Sequence, residues 1–377
     1  MKISKDRILT THAGSLPRPD DLRRMLLDRA GDKSVDEAVM KARVGEAVAE
    51  AVERQRSVGI DVISDGEMGK IGFSSYVLQH YTGFEESASF MAADLGDFPE
   101  LAMKLFASGA NVRLPVLNGP IEPRDPQWVQ EEIGDFARVL DGVDRDDAFI
   151  CAVTPGHIAF NFPNRYYPSH AAYIEAAADA LQHEYKAIVE AGFNLQLDSP
   201  DCAMAWHCSV EGSDLRERRA HTERNIAVLN EILADLPTER LRFHVCWGNY
   251  NGPHHRDVGL KDILDLIVRT RAKFLYVEAA NPQHEHEWEV WKEARLPDDK
   301  ILIVGVIDPK TNHVEHPLTV AQRIQRFADV VGRERVVAGT DCGFETFAGM
   351  LACDPAVAWK KLEMLTEGAR AASENLW

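Results

Sequence analysis

The chain has 377 residues, 45% of them apolar, and 42 Lys+Arg set against 60 Asp+Glu give a formal net charge of −18. A fiber, a disordered tail or a disulfide-stapled mini-protein does not combine that apolar fraction with 25 Gly, 18 Pro and 6 Cys over such a length. Nucleic acid and anionic lipid would meet net repulsion, no apolar run is long enough to span a bilayer, and the opening MKISKDRILTTHAG lacks the apolar center of a secretory signal. A cytoplasmic protein acting on small molecules is therefore expected, with thiols that are reduced or bound to metal.

In chain order, short β-rich runs alternate with long amphipathic segments. A strand is predicted over Ile8 to Gly14, a helix over Val35 to Val58 and a strand over Asp61 to Asp65. The next stretch, residues 71–126, is too long for one crossover and carries its own β run, Val112 to Leu117; it reads as an inserted arm. Strands at Ala148 to Thr154 and Asn194 to Asp198 flank a helix over His170 to Ala191, and a helix over Asp214 to Leu236 leads to a strand at Arg242 to Cys246. A helix over Leu260 to Thr270 precedes strands at Phe274 to Glu278 and Ile301 to Ile307. A helix over Leu318 to Val331, a strand at Val336 to Thr340 and a helix over Pro355 to Ala372 finish the pattern. Eight β/α units without a linker or a G-x-G-x-x-G turn favor a single-domain α/β (β/α)8 TIM barrel over residues 1–377, ahead of an open doubly wound sheet.

Such a barrel gathers its chemistry at the C-terminal ends of its strands. Period two along Phe243-His244-Val245-Cys246 turns His244 and Cys246 to one side. The apolar run Phe274-Leu275-Tyr276-Val277 ends in Glu278, a carboxylate that needs a cation or hydrogen-bond donors if buried, and the last strand runs into Asp341-Cys342-Gly343. Two thiols, an imidazole and a carboxylate form a ligand set that suits zinc better than magnesium or calcium. His244, Cys246, Glu278 and Cys342 are therefore the candidate zinc site. Cys151 and Cys353 read as core, and Cys202, His207 and Cys208 as a loop near the site. The pairs His254/His255, His284/His286 and His313/His316 read as solvated loop residues. Phe160, Phe162, Tyr166 and Tyr167, beside Arg165, either stack on a planar donor or pack a loop.

These residues resemble the cobalamin-independent methionine synthase family, namely its catalytic C-terminal barrel and its short single-barrel relatives. Thr10-Thr11-His12-Ala13-Gly14-Ser15-Leu16-Pro17 is similar to the family's T-T-x-G-S-[FL]-P, which implies that Ser15 helps hold an amino-acid substrate. Asp65-Gly66-Glu67-Met68 resembles H-G-E, making Glu67 the residue that approaches both substrates, and Leu197-Asp198-Ser199-Pro200 resembles I-D-E-P, whose Asp binds the substrate amine. Thr154-Pro155-Gly156 matches T-G-P-V-T loosely. His244-x-Cys246, Glu278 and Cys342 match all four protein zinc ligands. Where the family has a catalytic His after the seventh strand, this chain has Lys310, in Gly305-Val306-Ile307-Asp308-Pro309-Lys310.

The resemblance implies a zinc-dependent methyl or alkyl transferase of methionine biosynthesis. Its partners would be a small-molecule thiol, homocysteine first, and an alkyl donor, with Glu67, Asp198 and Lys310 catalytic and a homo-oligomer compatible with the outer helices. The same zinc alkyltransferase group includes epoxyalkane:coenzyme M transferases, for which Lys310 or Arg18 would clamp a sulfonate. A metal-free decarboxylase-like barrel and a barrel with a purely structural zinc are the remaining readings.

Overall fold

The computed structural model describes residues 1–31, 33–89, 94–107, 113–208, 215–351 and 353–377. Val112 and Asp214, which begin an expected strand and an expected helix, lie outside them. The strands are β1 (Leu9–Thr10), β2 (Ile63–Ser64), β3 (Phe84–Ser89), β4 (Arg113–Leu117), β5 (Ala148–Val153), β6 (Asn194–Asp198), β7 (Leu241–His244), β8 (Phe274–Val277), β9 (Ile301–Ile307) and β10 (Val336–Thr340).

All but β3 and β4 form one sheet in the order β1-β10-β9-β8-β7-β6-β5-β2, and each pair in it is parallel. Its two ends meet: Val62 N donates to Thr10 O at 3.0 Å and Thr11 Oγ1 to Val62 O at 2.9 Å, so the sheet curls into a barrel. Parallel strands covered on both faces must be apolar on both. Every residue of β5 and of β9 is buried, the latter reading ILIVGVI. The expected (β/α)8 barrel is thus the observed one, with helices His170–Glu190, Leu215–Ile232, Pro317–Val331 and Pro355–Leu376 among those around it. Helix Trp128–Val139 was not expected, although its apolar stripe of Trp128, Val129, Ile133 and Phe136 has the helical period.

The alternation in β5 divides the core. Ile150 and Ala152 join the large outer cluster between strands and helices, whereas Phe149 and Cys151 pack inward with Val62. Leu9, Ala13, Phe274, Tyr276, Ile301, Ile303 and Val337 fill the rest of the interior. Among them lies the fully buried Arg242, two residues below His244 on β7. Its guanidinium stacks 3.7 Å from the Phe149 ring center and donates to Thr11 Oγ1 (3.1 Å) and His12 O (3.0 Å), forming a cationic floor under the barrel mouth.

Strands β3 and β4 pair antiparallel, with Phe84 opposite Leu117, and Phe84 meets Phe162 edge-on at 5.1 Å. This two-stranded ribbon is the β excursion expected after the second strand. On the other side of the mouth, Gly305 of β9 leaves no space for a side chain: a Cβ there would stand 2.7 Å from Asp341 Cα and 2.1 Å from its Oδ1. Gly305→Ala is expected to cost about 1–3 kcal/mol through overpacking. A thermal melt checks this, and an unchanged melting temperature would show that the Asp341 turn yields.

Candidate metal centre and substrate pocket

The structure brings the four candidate ligands to one rim. His244 ends β7, Cys246 follows it, Glu278 follows β8, and Cys342 follows β10; all four are buried. The two sulfurs lie 3.7 Å apart. Two sulfurs held about 2.3 Å from one tetrahedral zinc stand about 3.8 Å from each other, so this separation fits a shared cation. Without one, contact with Cys246 and burial hold the Cys342 thiol well above the usual range. Burial works against a charged His244, yet its Nδ1 bond to Asp198 Oδ1 (2.9 Å) raises the imidazole to about 9. That carboxylate orients the ring and leaves Nε2, 3.2 Å from Asp341 O, as its other donor atom, the arrangement common around zinc-binding histidines.

Glu278 is differently placed. Its Oε1 accepts from Trp247 N (2.9 Å), and its Oε2 accepts from Asn281 Nδ2 (2.9 Å) and pairs with Lys310 Nζ (3.1 Å). Burial opposes its ionization, but Lys310 holds it below the usual carboxylate range. Asp341 builds this corner: its carboxylate accepts from the backbone N–H groups of Ala279, Ala280 and Asn281 and from Asn281 Nδ2, all within 2.8–2.9 Å. The donor types and the sulfur spacing suit zinc, although no three ligand atoms of His244, Cys246, Glu278 and Cys342 lie within 4.8 Å of one another, so His244 and Glu278 stand back from the sulfur pair.

Beside His244 lies a cluster of acceptors. Ligand atoms of Glu67, Cys151 and Asp198 lie within 4.8 Å of one another, all buried. Cys151, read from the sequence as simple core, faces this pocket: Gln196 Nε2 approaches its sulfur at 3.4 Å and also donates to Ala13 O and Asp198 Oδ1. Glu67 Oε2, Gln196 Oε1 and Ser15 Oγ are buried without a partner. Such atoms are rare in folded proteins and here converge on the barrel mouth. Asp198 Oδ1 already serves His244 and Gln196, so an ammonium group suits this pocket better than a second metal.

Glu67 adopts φ 57°, a left-handed conformation uncommon for a residue with a side chain, directly after Gly66 at φ 67°. Arg18 fastens that turn. Its terminal nitrogens donate to Glu67 O (2.9 Å) and Glu345 O (2.6 Å), and its backbone N–H donates to Glu345 Oε2 (2.6 Å). Arg18, expected from the sequence to bind substrate, thus braces the loop that carries Glu67 and offers no free fork to an anion.

Burial pushes the Glu67 carboxyl up to about 7, with Lys70 opposing and Asp198 adding to the rise. The sign for stability follows. Below an unfolded carboxylate value of about 4.3 both states are protonated and Glu67 costs nothing; the cost grows as pH rises and is complete above about 7. Glu67→Gln is therefore expected to raise the melting temperature at pH 8, by the equivalent of ~3 kcal/mol, and to leave it nearly unchanged at pH 4. Equal effects at both pH values would show that Glu67 carries no such ionization cost.

Two expectations are corrected by a third group of residues. His254 and His284, read as solvated, are buried at 6% and 2% exposure. Both bond Asp257 Oδ2, through His254 Nδ1 (2.8 Å) and His284 Nε2 (3.0 Å), while His207 Nδ1 lies 3.2 Å from Oδ1. Burial would raise this carboxyl, but the imidazoles hold it at about 2. His284 also supports the loop after β7 that carries Cys246, its ring 4.5 Å from that of Trp247. The remaining His255, His286, His313 and His316 are exposed, as expected. The aromatic run packs its loop: Tyr167 stacks on Tyr173 and Phe162 meets Phe84.

The profile of the cobalamin-independent synthase catalytic domain matches residues 8–90, which carry Ser15, Arg18 and Glu67. A curated methionine synthase of Saccharolobus solfataricus is 25% identical over 371 residues, 97% of this chain and 95% of the relative. That of Sulfurisphaera tokodaii is 24% identical over 368 residues, 97% and 93% respectively. In fold, the chain is similar to a B12-independent methionine synthase from a Shewanella species, at TM-score 0.75 and 19% identity over 98% of this chain and 99% of that one. A putative B12-independent methionine synthase from Listeria monocytogenes follows at TM-score 0.67 and 18% identity, with the same coverage. The chain is thus similar to the cobalamin-independent synthase catalytic domain over residues 8–90 and to methionine synthases over nearly its whole length, and it shares their barrel fold.

Proposed function

We propose that this chain is a zinc-dependent methyltransferase that moves a methyl group from a small-molecule donor to the thiol of homocysteine. His244, Cys246, Glu278 and Cys342 would hold the metal. The observation that carries this reading is the buried Cys246–Cys342 pair at 3.7 Å beside unpartnered acceptors on Glu67, Gln196 and Ser15. Relatives named methionine synthase over nearly the whole chain support it. The reading takes residues 1–377 as one catalytic barrel, with 71–126 as an arm. Among the described residues no helix is long and apolar enough to cross a membrane.

When bound, zinc would supply the positive charge that lets a thiol of pKa about 8.5 ionize at neutral pH. The chain's own residues do the rest. The Asp198 and Glu67 carboxylates would take the ammonium of an amino-acid acceptor, and the Ser15 hydroxyl is free to donate to its carboxylate. Asp198 would act twice, since it also fixes the ring of His244. The sulfur lone pair forms the new S–C bond as the donor's bond to the methyl carbon breaks; the leaving group keeps the electron pair of the broken bond and takes up one proton, which balances the proton the thiol lost on ionizing. Lys310 is a poor source for that proton: burial works against its charge, but Glu278 raises its pKa far above neutral and holds the ammonium charged. Its role is better read as fixed charge.

Opening of an epoxide by a sulfonated thiol is less well supported. A sulfonate next to Glu67 and Asp198 would be repelled, Arg18 is engaged with two carbonyls, and Lys310 is paired with Glu278. The test is a screen of thiols against the zinc-loaded chain. Homocysteine is expected to bind and accept the alkyl group while coenzyme M does neither; the reverse preference would overturn the homocysteine reading.

A further inference from the structure

Three adjacent strands bring a thiol between two carboxylates. Glu67 follows β2, Cys151 lies within β5 and Asp198 ends β6, and β5 pairs with both of the others. All three side chains are buried, at 2%, 2% and 5% exposure. An ammonium group would use the carboxylates and leave the sulfur without a task. Yet one ligand atom from each of the three lies within 4.8 Å of the other two, the only such group among the described residues. Gly14 keeps the space beside them open: a Cβ there would stand 2.5 Å from both Cys151 Sγ and Glu67 Oε1. Glu67 Oε2 is buried without a partner, and Lys70, the cation nearest in sequence, spends its ammonium on Cys151 O at 2.6 Å. A buried carboxylate in this state calls for a cation or a hydrogen-bond donor.

We propose that Glu67, Cys151 and Asp198 form a second, weaker binding site for a thiophilic divalent cation, such as cadmium or zinc in excess, which enters when the acceptor pocket is empty. One sulfur with two carboxylate oxygens suits these ions and not magnesium or calcium, which take oxygen ligands alone. On binding, the thiol proton leaves to solvent, the thiolate and the two carboxylates coordinate the ion, and no electron is transferred. Gln196 Nε2 gives up its 3.4 Å approach to the sulfur and keeps its bond to Ala13 O at 2.7 Å. The site has three protein ligands, and Asp198 already serves His244, so the ion is held about 100-fold more weakly than by a four-ligand set and is lost on desalting. An ion bound there stands where the substrate ammonium would, which makes it a competitor of the amino acid. That consequence rests on the acceptor reading of the pocket, whereas the site itself does not.

The experiment is equilibrium dialysis of the full chain against cadmium, with elemental analysis and the ultraviolet thiolate-to-cadmium absorption as readouts. Wild type is expected to carry one cadmium after desalting and two at excess free cadmium. Cys151→Ala and Cys151→Ser, with circular dichroism as the fold control, are expected to carry one under both conditions, and Cys246→Ala to carry only the weak ion, at excess. Methionine offers an ammonium group and no thiol; at saturation and fixed free cadmium it is expected to weaken the second ion at least tenfold and to leave the first in place. No second ion in wild type, or a second ion that persists in both Cys151 variants, would overturn the proposal. A second ion that needs Cys151 but ignores methionine would uphold the site and overturn the acceptor reading, and a tightly held first ion that Cys246→Ala does not remove would overturn the zinc reading alone.

Discussion

Replacing either Cys246 or Cys342 with Ala is expected to abolish stoichiometric zinc and to lower activity more than about 100-fold, while the barrel remains folded. Zinc sites with four protein ligands bind with about 10–16 kcal/mol, so one ligand accounts for about 3 kcal/mol, or two orders of magnitude in affinity. The two sulfurs stand 3.7 Å apart at the ends of β7 and β10, so each loss removes half of the thiolate pair. Neither side chain has the large packing role of Trp247 beside it, and a Cys→Ala change in such a place costs about 1 kcal/mol of stability. Metal content by elemental analysis and a thermal melt on the same sample check both halves. Zinc retained by either variant would place the metal elsewhere.

Asp198→Asn should produce a different pattern. Asp198 Oδ1 lies 2.9 Å from His244 Nδ1 and 3.0 Å from Gln196 Nε2, so the change weakens ring orientation and removes a charge from the acceptor pocket together. Loss of such an outer partner costs about 10–100-fold in metal affinity. Loss of a charged hydrogen bond to the substrate ammonium adds about 1.5–3 kcal/mol, so the homocysteine KM is expected to rise by at least tenfold under saturating zinc. Glu67→Gln separates the two effects. Its carboxyl touches none of the candidate ligands, so it should raise KM and leave zinc affinity alone. A Glu67→Gln enzyme that loses zinc, or an Asp198→Asn enzyme with unchanged KM, would show that the pocket and the metal centre are divided differently.

The barrel was legible because strands buried on both faces are continuous apolar runs, and the runs at β5, β9 and β10 stand out from the polar helices between them. The placement of the four candidate ligands at one end of the barrel was legible for a related reason: period two puts His244 and Cys246 on one side, and a carboxylate or thiol ending an apolar strand is conspicuous. What escaped depends on contacts between distant loops. His207, His254 and His284 meet Asp257 from three separate segments, and each segment alone looks polar and exposed. Cys151 was hidden by its neighbors, since an interior position within Ala148–Val153 has the same local sequence whether it meets apolar atoms or Glu67 and Asp198. Arg18 looked like an anion clamp because nothing local reveals that carbonyls 49 and 327 residues away engage its guanidinium. The ion pair of Lys310 with Glu278 also spans two loops.

The most direct measurement is X-ray absorption at the zinc edge of the full chain, without and with homocysteine. Two sulfur neighbors near 2.3 Å with two lighter ligands are expected first, and three sulfurs after the thiol is added. A zinc shell of nitrogen and oxygen only, or a sulfur count that homocysteine does not change, would contradict the account.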